Sequence, residues 1–333
     1  MHGIDIKEDY LLSLGNGILD TLLLDRTTGE NIIWATDDYA SMGDEYTFFK
    51  HITPELITGE NTNVIQPRVA KSEKERKLRA RKMAEVFTPS WLCNDMNNGV
   101  DERWFKRTPV FNVAFTEGGK HSWTPTTDKI LFPEGKTWQE YVSMGVIEIT
   151  CGEAPFLVSR YDAVTGEAIQ ELSYRIGWLD RKLRIVNENT ENYEDWLYWT
   201  KMAFKGILGF EWQGDNLLLA RENLLMSFFD YHEDRFKGEP AIEDIKEISN
   251  IISWNIFQMD GLKFVIPRSC HPVVVETHDL ITGELIRQEI ECEGCKKGLI
   301  HKHNGIYVKM MDWDIGQPVF FHTYNGLAKI DKL

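Results

Sequence analysis

Nowhere in the 333 residues do eighteen apolar residues run together, so no stretch has the profile of a membrane-spanning helix. The start, Met1-His2-Gly3-Ile4-Asp5, has no basic stretch leading into an apolar one, as a secretory signal would. A cytoplasmic location with no membrane partner is expected. Cysteine is scarce: Cys93, Cys151, Cys270, Cys292 and Cys295 form an odd, thinly spread set, which argues for reduced thiols over a disulfide framework. Basic residues are outnumbered, 37 against 52 acidic ones, and a net charge of −15 disfavours non-specific binding to a polyanion. Any contact with DNA must then be local or lent by a partner. Internal repeats are absent too. Thr-Gly-Glu recurs from Thr28, Thr58, Thr165 and Thr282 at irregular spacings and reads as four turns.

What is present is a globular composition, 42% hydrophobic and 27% charged, long enough to bury a large core. Three segments are expected: an N-terminal helical segment with a basic arm over 1–82, an α/β domain over 83–265 and a β-rich tail over 266–333. Tyr10–Leu14 and Ile18–Leu24 read as helices, and Asn31–Trp34 follows a turn. The basic run over 66–82 reads either as a solvated helix face or as a phosphate-contacting arm. After it, Thr88 before Pro89 reads as the N-cap of a helix running toward Met96.

The rest of the chain is organised around Val146-Ile147-Glu148-Ile149-Thr150-Cys151-Gly152-Glu153-Ala154-Pro155-Phe156-Leu157. Short apolar residues run into an acid, a Cys-Gly turn follows, and small and apolar residues open what reads as a helix. A glycine there lets a ligand approach the backbone, and free N–H groups favour polar or anionic groups. Glu148 is set to pair with a cationic group of such a ligand. An ordinary strand-to-helix turn has the same pattern. Leu183–Val186 reads as a short extended piece, and Trp196 to Ile207 has helical spacing. Glu211 then closes an apolar run, where an acid can accept both hydroxyls of a ribose. Asp260 closes another, with Trp212 or Leu262 available for the faces of a base.

From Val273 onward the pattern becomes alternating, as in hairpins over 273–276, 285–290, 305–310 and 318–321. Within this tail Cys292 and Cys295, with His301 and His303, could complete a tetrahedral zinc site, although His-x-His is tighter than the usual spacing. A loop of reduced thiols is the alternative.

Glu85-Val86-Phe87-Thr88-Pro89, then Glu148 to Leu157, then Gly209-Phe210-Glu211 with Ala220-Arg221-Glu222-Asn223-Leu224, then Asn255 to Leu262, together resemble the M subunits of restriction-modification systems. These are S-adenosylmethionine-dependent DNA adenine-N6 methyltransferases, and the resemblance covers about residues 66 to 262. It implies a Rossmann-like class I methyltransferase domain. It also implies that Phe87, Thr88, Pro89, Glu148, Cys151 and Gly152 hold the methionine part of the cofactor, and the neighbouring Thr150, Glu153, Ala154 and Phe156 are expected to line the cofactor site. Glu211 would hold the ribose and Asp260 the adenine amine, flanked by Trp212 and Leu262. The chain departs from the family at Ile149, usually proline, and at Ala154, usually a second glycine. More seriously, the Asn/Asp-Pro-Pro-Tyr/Phe tetrapeptide that binds the flipped base is missing, since neither Asn-Pro-Pro nor Asp-Pro-Pro occurs. The catalytic residues are therefore unknown. Two functions are consistent with this. One is a methyltransferase whose acceptor site comes from a second subunit, which would also supply target recognition, or from residues with no recognisable motif. The other is a non-catalytic S-adenosylmethionine-binding sensor or scaffold.

Overall fold

The computed structural model describes residues 3–83, 87–278 and 285–324. Helices and strands alternate through the middle of the chain, and the sheets are small. The N-terminal segment contributes α1 (Glu8–Ser13), α2 (Ile18–Leu23), α3 (Pro54–Ile57) and α4 (Glu73–Met83). Next come α5 (Ser90–Phe105), the hairpin β1 (Asn112–Glu117) and β2 (Lys120–Pro125), and α6 (Trp138–Ser143). The hairpin turns on Gly118 and Gly119, both at positive φ, as a two-residue turn between right-twisted strands requires. Three of the four Thr-Gly-Glu tripeptides also lie in turns, with Gly29, Gly59 and Gly166 all at positive φ. Thr282 falls outside the described residues.

The central sheet has three parallel strands in the order β3 (Val146–Ile149), β4 (Ile207–Glu211) and β5 (Ile256–Gln258). The register pairs Glu148 with Gly209 and Glu211 with Gln258. Helices α7 (Trp178–Asn189) and α8 (Tyr193–Lys205) connect β3 to β4, and α9 (Gly214–Phe236) and α10 (Ile242–Asn255) connect β4 to β5. Leu183–Val186 is not extended. It lies within α7, where Leu179, Leu183 and Val186 recur at helical spacing and are fully buried. One apolar cluster runs from Ile6 to Ile256, so the N-terminal segment shares the core of the sheet.

The tail comprises β6 (Val273–His278) paired with β7 (Leu285–Ile290), the short α11 (Glu293–Lys297), and β8 (Lys309–Asp312) paired with β9 (Gln317–Phe320). Its anchor is a second apolar cluster that joins Val308, Met310 and Phe321 to Leu208, Phe210 and Phe257 of the sheet. Among the described residues, no helix is long and apolar enough to cross a membrane.

Candidate functional site

The loop after β3 is a chain of turns, and no helix starts in it. Thr150, Gly152 and Ala154 all have positive φ, and Pro155 has no N–H to donate. The backbone closes back on itself through Ala154 N–H to Cys151 O at 2.7 Å and Val158 N–H to Ala154 O at 2.9 Å. The next α-helix begins only at Trp178. Left-handed backbone at two non-glycine residues costs on the order of 1–3 kcal/mol each and persists only where the surroundings hold it.

Glu148 is one of the groups that hold it. Its buried carboxylate accepts the N–H groups of Phe156 at 3.4 Å and Leu157 at 3.2 Å. It therefore faces into the loop, and its oxygens are spent on backbone where a ligand's cation was expected. Burial pushes its carboxyl well above the ordinary range, against the pull of those two bonds.

Glu211 joins the loop to the end of β4. It accepts the N–H of Gly152 at 2.9 Å and that of Gln213 at 3.2 Å. Burial raises its carboxyl pKa, and no ion pair to it is present among the described residues. Two glycines allow this closeness. A Cβ on Gly209 would lie 3.3 Å from Cys151 Sγ, and one on Gly152 would lie 3.2 Å from the Phe87 ring. Phe87, Gly152 and Glu211 thus form one contiguous rim.

The remaining expected residues divide. Glu153 accepts the main-chain N–H of Arg68 at 2.6 Å and the Tyr161 hydroxyl at 2.5 Å, which makes it part of the scaffold. Thr88 is not an N-cap. Helix α5 starts at Ser90 after Pro89, and the Ser90 N–H is capped from a distance by Asp162 at 2.7 Å. The Thr150 hydroxyl turns back to the Ile149 carbonyl at 2.7 Å. Phe156 is half-buried.

Asp260 lies two residues beyond β5 and accepts the N–H groups of Leu262 at 3.0 Å and Lys263 at 3.3 Å. Leu262 itself is 86% exposed. The ends of β4 and β5 are joined by Met259 N–H to Glu211 O at 2.9 Å. Trp212 donates its indole N–H to Ala35 O at 3.0 Å. Sequence reasoning missed Gln258, whose amide accepts the Ile33 N–H at 3.0 Å and donates to Ile33 O at 2.8 Å. These contacts lay residues 33–35 across the strand ends, and no periodicity in the sequence signals them. An open groove of about 650 Å³ runs along the outer edge of β3, lined by Met96, Val100, Ile147, Glu148, Phe156 and Trp178.

The basic run is partly consumed inside the protein. Lys71 and Arg79 reach the same oxygen of buried Asp215, at 3.0 and 2.9 Å, and the Tyr39 hydroxyl donates to it at 2.7 Å. Burial alone would raise the Asp215 carboxyl, but Arg79 and Lys71 hold it well below the usual range. Lys74, Lys77 and Arg81 stay exposed.

In the tail, Cys270, Cys292, Cys295 and His303 come together as a possible metal-binding group, with their ligand atoms all within 4.8 Å of one another. His301 is not a member, and its ring lies 5.3 Å from that of His322. Cys270, which the Cys-x-x-Cys spacing does not reach, takes the fourth place from the far side of the β6–β7 hairpin. Burial opposes ionisation of Cys292, but N–H groups of Cys295 and Asn304 and the His303 imidazole bring its thiol down to about 6. All five cysteines are free.

No protein-family model, curated protein or solved structure matches this chain.

Proposed function

We propose that the chain is the cofactor-binding half of an S-adenosylmethionine-dependent DNA adenine-N6 methyltransferase, built as a Rossmann-like domain of the restriction-modification M-subunit type. The observation that carries this reading is Glu211. It is a buried carboxylate at the carboxyl end of the middle parallel strand, beside a glycine turn and with no ion pair to it among the described residues. A ribose diol would supply two hydroxyl donors to such a group. Gly152 keeps the approach to the backbone free of a side chain. Asp260 is the candidate acceptor for an exocyclic amine, with Leu262 beside it. Glu148 acts as a positioning residue, holding the 150–157 loop in shape. When bound, S-adenosylmethionine supplies an electrophilic methyl group.

The acceptor half comes from a further chain segment or subunit. β3 is an outermost strand of the sheet, and the groove along its edge has the size of sites that admit small ligands or side chains, about 300–1,000 Å³. DNA contact through Lys74, Lys77 and Arg81, or through a partner, and a zinc ion in the tail belong to the same reading. A second reading, a non-catalytic S-adenosylmethionine-binding sensor or scaffold, is favoured by the lack of any Asn-Pro-Pro or Asp-Pro-Pro sequence.

Thermal unfolding tests the cofactor assignment. S-adenosylhomocysteine at a hundred times its Kd should stabilise the fold by about 2.7 kcal/mol, a shift in Tm of a few degrees. ATP at the same concentration should give no comparable shift. Equal responses to both, or none, would count against a site built for this cofactor.

A further inference from the structure

The β6–β7 hairpin buries little of itself. Every described residue of β7 is exposed, as are five of the six in β6. A segment with so little apolar surface to bury needs another source of order, and small domains often take it from a bound metal. The Cys270, Cys292, Cys295 and His303 group sits where such a staple would act, because Cys270 and Cys292 flank the base of the hairpin that opens at Val273↔Ile290.

The distances are specific. His303 Nδ1 lies 3.5 Å from Cys270 Sγ, 3.7 Å from Cys292 Sγ and 3.6 Å from Cys295 Sγ. Zinc–sulfur bonds of about 2.3 Å and zinc–nitrogen bonds of about 2.0–2.1 Å at tetrahedral angles require a sulfur-to-nitrogen edge of about 3.6 Å. Three edges at that length, from one nitrogen to three sulfurs, match those of a tetrahedral ligand set. Packing alone gives no reason for all three to agree. A disulfide would join only two of the thiols, and all three are free.

The surroundings are shaped for it. A Cβ on Gly294 would lie 2.7 Å from His303 Nδ1, and one on Gly305 would lie 3.0 Å from Cys270 Sγ, so both positions require glycine. The Asn304 N–H donates to Cys292 Sγ at 3.3 Å. The Asn304 side chain accepts the His271 N–H at 3.2 Å and donates to the His271 carbonyl at 2.7 Å, tying the two halves of the site together. The Tyr307 hydroxyl accepts the His303 N–H at 2.9 Å and fixes the backbone of that ligand.

We infer that these four residues form a closed, structural Cys3His zinc site, with Cys270 as the ligand that joins the start of the tail to its Cys-x-x-Cys turn. Four protein ligands leave no open position for a water nucleophile, and soft thiolates with one imidazole select zinc over hard cations. Binding displaces the thiol protons to solvent and involves no oxidant. The ion fixes the segment that follows Asp260, because Ile266 N–H pairs with Ile306 O at 2.9 Å and Val308 N–H with Phe264 O at 3.0 Å, just before the Cys270 ligand and just after the His303 ligand.

The full chain, purified without chelators, should carry about one zinc ion per chain. Cobalt(II) in its place should give the intense d–d bands of a tetrahedral site and thiolate-to-cobalt charge transfer. Cys270→Ala should weaken zinc binding by at least about a hundredfold, whereas His301→Ala should leave the stoichiometry at one. Should Cys270→Ala misfold, zinc content and the cobalt spectrum of the unaltered chain still decide the matter. A chain that takes up no zinc from a zinc-supplemented buffer, or cobalt bands of an octahedral site, would overturn the inference. So would loss of the ion in His301→Ala with retention in Cys270→Ala. Metal content is read without S-adenosylmethionine, so failure here leaves the cofactor reading intact.

Discussion

Arg221 carries a fully buried guanidinium that makes no ion pair to a carboxylate among the described residues. Its donors go to carbonyl oxygens instead: Ile256 at 2.8 Å, Leu22 at 2.5 Å, Leu24 at 3.0 Å and Ser253 at 3.2 Å. One side chain thus satisfies the ends of α2 and α10 together and ties the N-terminal segment to the sheet. Burial lowers its pKa to about 9. Removing it strands three buried acceptors and one part-buried one, so Arg221→Met should cost about 3–5 kcal/mol in chemical denaturation. A loss below about 1 kcal/mol would mean that water replaces those bonds.

Glu8 gives a pH dependence at the same scale. Both its oxygens are buried without a hydrogen-bond partner, and burial raises its pKa to about 8 from the ordinary 4.5. Glu222, which feels the charge of Glu8, is raised as well. The folded chain therefore holds a proton that the unfolded chain releases between about pH 4.5 and 8, and the Glu8 contribution to stability falls as pH rises through that window. Glu8→Gln should raise Tm by roughly a few degrees at pH 8 and little at pH 5. An equal shift at both pH values would contradict the assignment.

Among the elements, α4 is held through Arg79, which reaches Asp38 at 3.3 Å as well as Asp215 at 2.9 Å. Asp215 at the start of α9 holds Lys71 and Arg79, while the outward face of α4 is exposed and charged. Asp215→Asn should release α4 and speed tryptic cleavage within 74–81 severalfold, with the bulk of the fold intact by circular dichroism. Unchanged cleavage would show that α4 is held elsewhere. Within the basic run Lys71 and Arg79 are structural, Lys74, Lys77 and Arg81 form a solvated face, and the phosphate-contacting arm stays part of the proposed function.

Legibility from sequence follows the same division. Strands β4 and β5 and helix α8 could be read because buried runs and helical stripes leave a local signature. Leu183–Val186 misled because four residues cannot separate a strand from one face of a helix. The loop after β3 misled because positive φ at Thr150 and Ala154 has no reliable signature in residue type. His301 and His303 are equally spaced for a ligand role by sequence, and only the fold, which swings Cys270 across a hairpin, chooses between them.

For the molecule as a whole, the strand ends and the N-terminal segment over 33–35 are joined through Gln258 and Trp212, and the tail packs on the sheet through Val308, Met310 and Phe321. Glu211 lies at the junction of the first two. The most direct measurement is calorimetric titration of the intact chain and of Glu211→Ala with S-adenosylmethionine. If Glu211 holds the ribose, the intact chain should bind with a micromolar Kd, about −8 kcal/mol, and the variant tenfold to a hundredfold more weakly, roughly 1.5–3 kcal/mol. Equal affinity in both chains, or no binding by the intact chain, would contradict the assignment of this site to the cofactor.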